Sequence, residues 1–556
     1  MEWRKDIDAM VTIDTIKELL MKVGIDTHIV FKANPMPQIY SCRVELRELP
    51  GIGTNGKGIS EMAALASAYS ELMERLQNRI LTESLYMGFD HEGHMEEDGL
   101  SQEMVKQTES YLCDRTNNEM RFRQGIKTIS RGDKILFKNI STGEHVYLDK
   151  KLLNHYLGSN GMCAGNSYEE AVSQGLCEIM ERYVLRELYL GKISDSDVGV
   201  IPRKYYKQFR IFDLIKELEE SGYICRVLNC SLGGRFPVAG FVMVNPNTLK
   251  AKFSLGCDYD LEIALQRCIT ELFQGRNNII EFRYSMQDIF DTVLSEKTHY
   301  FNALREWQGT IPKAILTERV KDSIFPFTQV HTSREAYKLC MASLGKQYDI
   351  LICDTSFLGF PTYRIIVRGL SNVSTDAEEY QQYNHSITAA MRIAKQLSCE
   401  HTFQLEDMRC FAAVRNCSRY KYFSVYDLMG IVLEQPLLVS DFDEQLAQLC
   451  YFQGEYALAY HYQQRKKSKQ DIVRSQVIYA KMCGWDDQQI DNLLHSVAST
   501  YNMETLIHTW MLNGLRQFPR CPDCMTCDLR SKCAYEGYKR IKNRLDVAYS
   551  NWREGR

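Results

Sequence analysis

Two stretches of this chain say nearly the same thing, and the repetition limits what it can fold into. Residues 54–79 read TNGKGISEMAALASAYSELMERLQNR, and residues 159–182 read SNGMCAGNSYEEAVSQGLCEIMER. Each passes from Asn-Gly through small residues into a helix-forming run, and SELMER at 70–75 echoes CEIMER at 177–182. At about 100° per residue, Glu170, Gln174, Glu178 and Glu181 share one polar stripe, with Val172, Leu176, Ile179, Met180 and Tyr183 on the other side. The earlier helix sets Ser67, Glu71, Glu74 and Asn78 against Leu65, Leu72, Met73 and Leu76. A third run, DLEIALQRCITELFQGR at 260–276, repeats the layout with Arg267, Glu271 and Gln274. Ser167 followed by Glu170 fits a capping box, which starts the second helix straight after its glycine-rich approach.

One such helix is an ordinary amphipathic element with a solvated face. Three in register predict helices lying side by side on a sheet, with Glu71, Glu74, Glu178, Glu181 and Glu271 converging. Carboxylates at that density repel one another unless a cation intervenes. Hard divalent ions do this, and Mg²⁺ is commonly held by a few carboxylates together with phosphate oxygens and water. The implied ligand is a nucleoside triphosphate, with Arg182, Arg267 and Lys57 facing its phosphates. No G-x-x-x-x-G-K-[ST] motif and no dinucleotide fingerprint occurs, so the cradle is of another kind.

These stretches, with SLGGRFPVAGFVMVNP at 231–246 followed by ALQRCITELFQGR, resemble the YcaO family and its stand-alone bacterial members in particular. The likeness runs from about the N-terminus to about Asn384. It implies an ATP cleft lined by glutamate-bearing helices, with Mg²⁺ held by Glu71, Glu74, Glu178, Glu181 and Glu271. It further implies nucleotide contacts from Ser67, Asn166, Glu170, Gln174, Arg182 and Arg267, and from Lys5, although Thr12 stands where the family has serine. The family's activity is ATP-dependent activation of a backbone amide oxygen of a peptide by phosphoryl transfer, which needs positioning and charge neutralisation rather than a protein nucleophile. No catalytic nucleophile is therefore assigned. Peptide-modifying members commonly use a leader-binding partner and end in a proline-rich tail, whereas this chain ends in RLDVAYSNWREGR. The stand-alone members are linked to methylthiolation of a ribosomal protein beside a radical enzyme, and to a homodimer. The competing reading is an accessory protein that binds ATP and delivers sulfur, a cluster or a client to a partner enzyme.

The expected fold class is α/β: a YcaO-type ATP-binding domain of mixed sheets and helices at 1–430, with strands in KILFKNI, FPVAGFVMVNP, KFSLGC, DILICDTS and TYRIIVRGL. From about Asp441 short Ala-, Leu-, Gln- and Tyr-rich helices predict a TPR-like helical module at 431–515. Residues 516–556 form a Cys-rich segment in which CPDCMTCDLRSKC spaces Cys521, Cys524, Cys527 and Cys533 as C-x2-C-x2-C-x5-C. That spacing suits an iron–sulfur cluster, with tetrahedral Zn²⁺ as the alternative. The remaining cysteines of the nineteen fall mostly in apolar runs and read as buried thiols. A formal charge of −4 gives no electrostatic case for nucleic acid, no apolar run spans a membrane, and a cytoplasmic location is expected.

Overall fold

The computed structural model describes residues 4–83, 85–86, 102–112, 134–190, 198–288, 311, 313–320, 325–345, 347–373, 386, 389–397, 403–413, 426, 429–433, 442–464, 468–498, 518–521, 524–525 and 527–555. The chain divides into two compact units, one of residues 1–82, 97–375 and 540–556, the other of 83–96 and 376–539. No helix among the described residues is long and apolar enough to cross a membrane.

The first unit holds three sheets. Strands β1 (Thr27–Met36), β2 (Ile39–Leu46) and β3 (Gly53–Gly58) form one in that order. The remaining strands are β4 (Lys134–Asn139), β5 (His145–Asp149), β6 (Met162–Ala164), β7 (Gly199–Val200), β8 (Ile224–Asn229), β9 (Val238–Asn245), β10 (Lys250–Cys257), β11 (Gln287–Asp288), β12 (Ile350–Asp354) and β13 (Thr362–Val367). They form two five-stranded sheets, ordered β11-β10-β9-β8-β7 and β5-β4-β12-β13-β6.

The expected mixture of sheets and helices is present, but every pairing within these sheets is antiparallel, so the sheets are built from hairpins rather than from the parallel units that α/β implies. The reason is local. Tight turns return the chain at once, as between β9 and β10, where Leu249 adopts φ 55° and the register runs from Asn245 opposite Lys250 to Val238 opposite Cys257. A parallel sheet needs a long crossover at each step instead. The glycine-rich approaches are likewise not loop throughout, since β3 and β6 lie within them.

Five helices matter for the site: α1 (Ala9–Lys22), α2 (Glu61–Gln77), α3 (Tyr168–Tyr189), α4 (Leu261–Phe273) and α5 (Ser333–Leu344). Helix α3 buries Val172, Leu176, Ile179 and Met180 completely, in a core shared with Val242 and Phe253 of one sheet and Ile352 and Ile365 of another. Each such side chain contributes roughly 1.5–3 kcal/mol on leaving water, so the apolar stripe fixes which way the glutamates face. Helix α4 packs on the opposite face of the β9–β10 hairpin with Leu265, Ile269 and Phe273.

Two glycines let helices approach strands closely. A Cβ on Gly56 would lie 1.9 Å from the Ala64 carbonyl oxygen of α2, and one on Gly256 would lie 2.1 Å from that of Ala264 in α4. Only glycine fits at either position.

In the second unit, helices α6 (Phe442–Phe452), α7 (Tyr456–Gln463), α8 (Lys469–Met482) and α9 (Asp487–Ala498) pack each against the next. Gly454, at φ 77°, breaks what reads as one run in the sequence into two helices. Val473, Val477, Ile490 and Leu494 form a small core there. Most of the described scattered cysteines are buried, but Cys483 is exposed and Cys225 and Cys410 half-buried, contrary to expectation.

Candidate functional site

Three caps start the three helices in step. Ser60 accepts from the Ala63 N–H, Ser167 from the Glu170 N–H at 3.1 Å, and Asp260 from the Glu262 N–H. Their polar stripes then meet on one cavity of about 1020 Å³. Helix α2 brings Ser67, Glu71, Glu74 and Arg75, helix α3 brings Glu170, Gln174, Glu178, Glu181 and Arg182, and helix α4 brings Arg267 and Glu271. Strand β3 adds Lys57, the N-terminal segment adds Lys5 and Thr12, and the approach to α3 adds Asn166. Every residue singled out in the sequence for nucleotide or magnesium therefore lines one cavity. Asn78 does not: it caps α2, donates to the Glu74 carbonyl at 3.0 Å and faces elsewhere.

Four of the five carboxylates pair with cations. Arg75 reaches Glu71 at 3.1 Å and Glu74 at 3.2 Å, Arg182 approaches Glu178 at 3.8 Å, and Lys57 pairs with Glu271 and donates to Gln274 at 3.1 Å. Burial pushes the Glu74 carboxyl well above the usual range; Arg75 opposes this, while Glu178 and Glu71 reinforce it. Burial likewise lifts Glu181 to about 7 against the pull of Arg182 and Lys57. Lys57 falls to about 8 because burial disfavours its charge more than Glu181 and Glu71 favour it.

The other end of the cavity behaves differently. Lys5 donates to Glu170 at 2.9 Å and to Gln174 at 3.4 Å, and the Asp6 backbone N–H donates to Glu170 at 3.0 Å. Burial alone would raise the Glu170 carboxyl, but the Lys5 charge and these hydrogen bonds hold it below the ordinary value. Thr12 donates to Asn166 at 2.9 Å, and Asn166 donates to Glu170. Only half of the expected capping box forms. Ser167 caps α3, but the Glu170 carboxylate turns to Lys5 and Asp6, whose donors include a full charge.

Sequence reasoning missed three side chains here. Arg75 occupies in SELMER the place Arg182 holds in CEIMER, a signal available in the repeat itself. Arg4 and Asp258 form a bidentate pair at 3.0 and 2.7 Å, with Arg267 3.7 Å from the same carboxylate. They lie 254 residues apart, and no local pattern announces them.

Among the described residues, no group of three or more His, Cys, Asp or Glu side chains is spaced to hold a metal ion. In the second unit Cys521, Cys524, Cys527 and Cys533 are half-buried; burial, with the neighbouring thiols, pushes the Cys521 thiol up, and Cys533 Sγ sits 3.3 Å from the Tyr86 hydroxyl. No metal-ligand grouping among the described residues supports the iron–sulfur or zinc expectation.

The family model described as YcaO cyclodehydratase, ATP- and Mg²⁺-binding, matches residues 55–371, more than half of the chain. The chain belongs to the YcaO family. It is 28% identical over 418 residues to the ribosomal protein S12 methylthiotransferase accessory factor YcaO of Escherichia coli, covering 70% of this chain and 69% of that protein. Over 390 residues it is 27% identical to an uncharacterized protein of Haemophilus influenzae, covering 66% of each. Among solved structures, a heterocyclase in complex with substrate and cofactor matches with TM-score 0.45 and 16% identity, over 66% of this chain and 53% of that one. YcaO from Methanopyrus kandleri bound with AMPPCP and Mg²⁺ matches with TM-score 0.40 and 19% identity, over 66% and 92%.

Proposed function

We propose that this chain binds magnesium ATP in the three-helix cavity and uses it to activate a backbone amide oxygen of a peptide or protein substrate by phosphoryl transfer. One observation carries the reading: Glu71, Glu74, Glu178, Glu181 and Glu271 reach a single cavity from three helices, interleaved with Arg75, Arg182, Arg267 and Lys57. The residues fit the group. Glu74 and Glu181 are held toward their protonated forms by burial and by neighbouring carboxylates, and a divalent cation relieves that tension. Bound ATP would supply a transferable phosphoryl group together with its counter-ion. The glutamates would hold the metal charge, and Arg182, Arg267 and Lys57 would neutralise phosphate oxygens.

The name of the Escherichia coli relative supports a role beside a methylthiolating enzyme acting on a ribosomal protein. It equally supports the alternative of an ATP-binding accessory that delivers sulfur, an iron–sulfur cluster or a client to a radical partner. The consecutive helices α6 to α9 would then serve as a TPR-like docking module, and a cytoplasmic homodimer fits both readings.

The test is ATP turnover with candidate peptides, followed by mass spectrometry of peptides and nucleotides. Glu178→Gln and Glu181→Gln each remove a charge at constant size and should lower turnover at least about a hundredfold with the fold intact. Turnover equal to the parent in both variants removes the assignment.

A further inference from the structure

Arg4 carries a positive charge into the first unit at a place that no step of the proposed reaction uses. Its guanidinium donates to both oxygens of Asp258, at 3.0 and 2.7 Å, and the pair is nearly sealed from solvent, with Arg4 9% and Asp258 1% exposed. Both partners are fixed in place. Asp258 follows β10, its backbone N–H donates to the Pro237 carbonyl at 3.1 Å, and its Oδ1 also accepts from the backbone N–H of Asp260, the cap of α4, at 3.0 Å. The Arg4 carbonyl accepts from the Ser333 hydroxyl at the start of α5 at 3.4 Å. Arg267 approaches the same carboxylate only to 3.7 Å, which is about 0.8 Å beyond an ordinary N–H···O bond. Arg267 lines the three-helix cavity, and Arg4 does not.

Taking Arg4 away would change what Arg267 does. A carboxylate this buried demands charged donors on its oxygens. With Arg4 in place each oxygen has one, and Arg267 is attracted without being captured. Without Arg4, the guanidinium at hand is that of Arg267, which would close the short gap, form a neutral pair with Asp258 and turn its donors away from the cavity. The charge count agrees: two guanidiniums and one carboxylate leave one positive charge at this wall, whereas Arg267 and Asp258 alone leave none. We infer that Arg4 is a positioning residue for ATP, which satisfies Asp258 so that the Arg267 guanidinium stays directed at phosphate oxygens. This role rests on the magnesium-ATP reading of the cavity. An arginine that merely ties down the N-terminal segment would act equally whether or not Arg267 is present.

The experiment titrates the full chain, in the presence of magnesium, with N-methylanthraniloyl-ATP followed by fluorescence, alongside steady-state ATP turnover, on variants whose circular dichroism matches the parent. Arg4→Gln should weaken nucleotide binding at least about tenfold and raise the KM for ATP more than it lowers kcat. Arg4→Lys keeps the charge but loses the fork that fills both oxygens, and should weaken binding about threefold; it decides the matter alone if Arg4→Gln does not fold. Arg267→Gln should weaken binding at least as much as Arg4→Gln, and adding Arg4→Gln to it should cost less than about twofold more. Parental affinity in Arg4→Gln or Arg4→Lys, or the same loss from Arg4→Gln with and without Arg267, overturns the role of Arg4 while the ATP assignment of the cavity stands. A parent that binds no nucleotide overturns both.

Discussion

The β3–α2 and β10–α4 units are built alike and charged differently. Thr54 donates to the Ala68 carbonyl at 2.7 Å, and Ser254 donates to the Cys268 carbonyl at 2.7 Å. Gly56 lies under Ala64 as Gly256 lies under Ala264, and Ser60 caps one helix as Asp260 caps the other. Each of these partners stands 200 residues from its counterpart. The cavity face breaks the likeness. Ser67 is matched by Arg267, Glu71 by Glu271, Glu74 by Gln274 and Arg75 by Gly275. One scaffold thus presents an acidic wall with its own arginine, the other a mixed wall whose arginine leans on Asp258. Backbone packing fixes where the side chains point, Glu71 and Glu271 keep the likeness on the cavity face, and the residues at the other three positions set the walls apart.

The largest expected effect tests the shared scaffold. Gly56→Ala and Gly256→Ala place a Cβ 1.9 and 2.1 Å from helix carbonyl oxygens, distances that backbone must yield to, so each should cost about 3 kcal/mol or more in denaturant unfolding. Similar losses uphold the comparison, whereas tolerance at one site alone breaks it.

Next comes the charge that only one wall uses. Asp258 is 1% exposed and holds Arg4, itself 9% exposed, by two hydrogen bonds. Asp258→Asn leaves a buried guanidinium without its counter-charge and should cost about 3 kcal/mol. If the wall also positions Arg267 for phosphate, the same variant raises the KM for ATP, while Glu262→Gln, a half-buried side chain outside the cavity whose oxygen can still accept from the Arg210 N–H, changes neither quantity.

How much of this was legible follows the range of the interactions. The carboxylate stripes, the apolar sides of α2 and α3 and the cap at Ser167 depend on residues within one or two turns, and a linear reading finds them. The sheet of β1, β2 and β3 escaped it, because THIVFKANPM mixes exposed and buried positions without clean alternation and GTNGKG carries no strand propensity. GTNGKG becomes a strand because Gly56 and Gly58 let α2 press against it. Glu170 escaped in another way: its capping partner was visible, but the competing Lys5 and Asp6 N–H lie 165 and 164 residues away.

A smaller effect concerns Glu74, whose counterpart Gln274 is neutral. In protein stripped of divalent ions, Glu74 and Glu181 bind protons more tightly folded than unfolded. Their contribution is therefore fully present below the ordinary carboxylate pKa of 4.5 and is lost as pH rises, for Glu181 through about 7. The melting temperature of metal-free protein should fall by a few degrees across that window. Glu74→Gln should flatten the fall and raise the melting temperature at pH 8, making α2 resemble α4. An identical pH slope in parent and variant counts against a strained carboxylate at this position.

The smallest effect sharpens the comparison most, because it touches the scaffold without touching charge or volume. The Thr54 and Ser254 hydroxyls each donate to a helix carbonyl about two turns into α2 and α4, and both are buried. Thr54→Val and Ser254→Ala delete the donor while the carbonyl keeps its acceptor role within the helix, so no buried group is stranded. Each should cost about 1 kcal/mol, the net worth of one hydrogen bond. The bonds share neither atoms nor neighbours, so the double variant should lose the sum of the two within about 0.5 kcal/mol. A coupling larger than that would mean α2 and α4 respond to each other through the cavity between them, and the two units would have to be treated as one wall rather than as two copies of a scaffold.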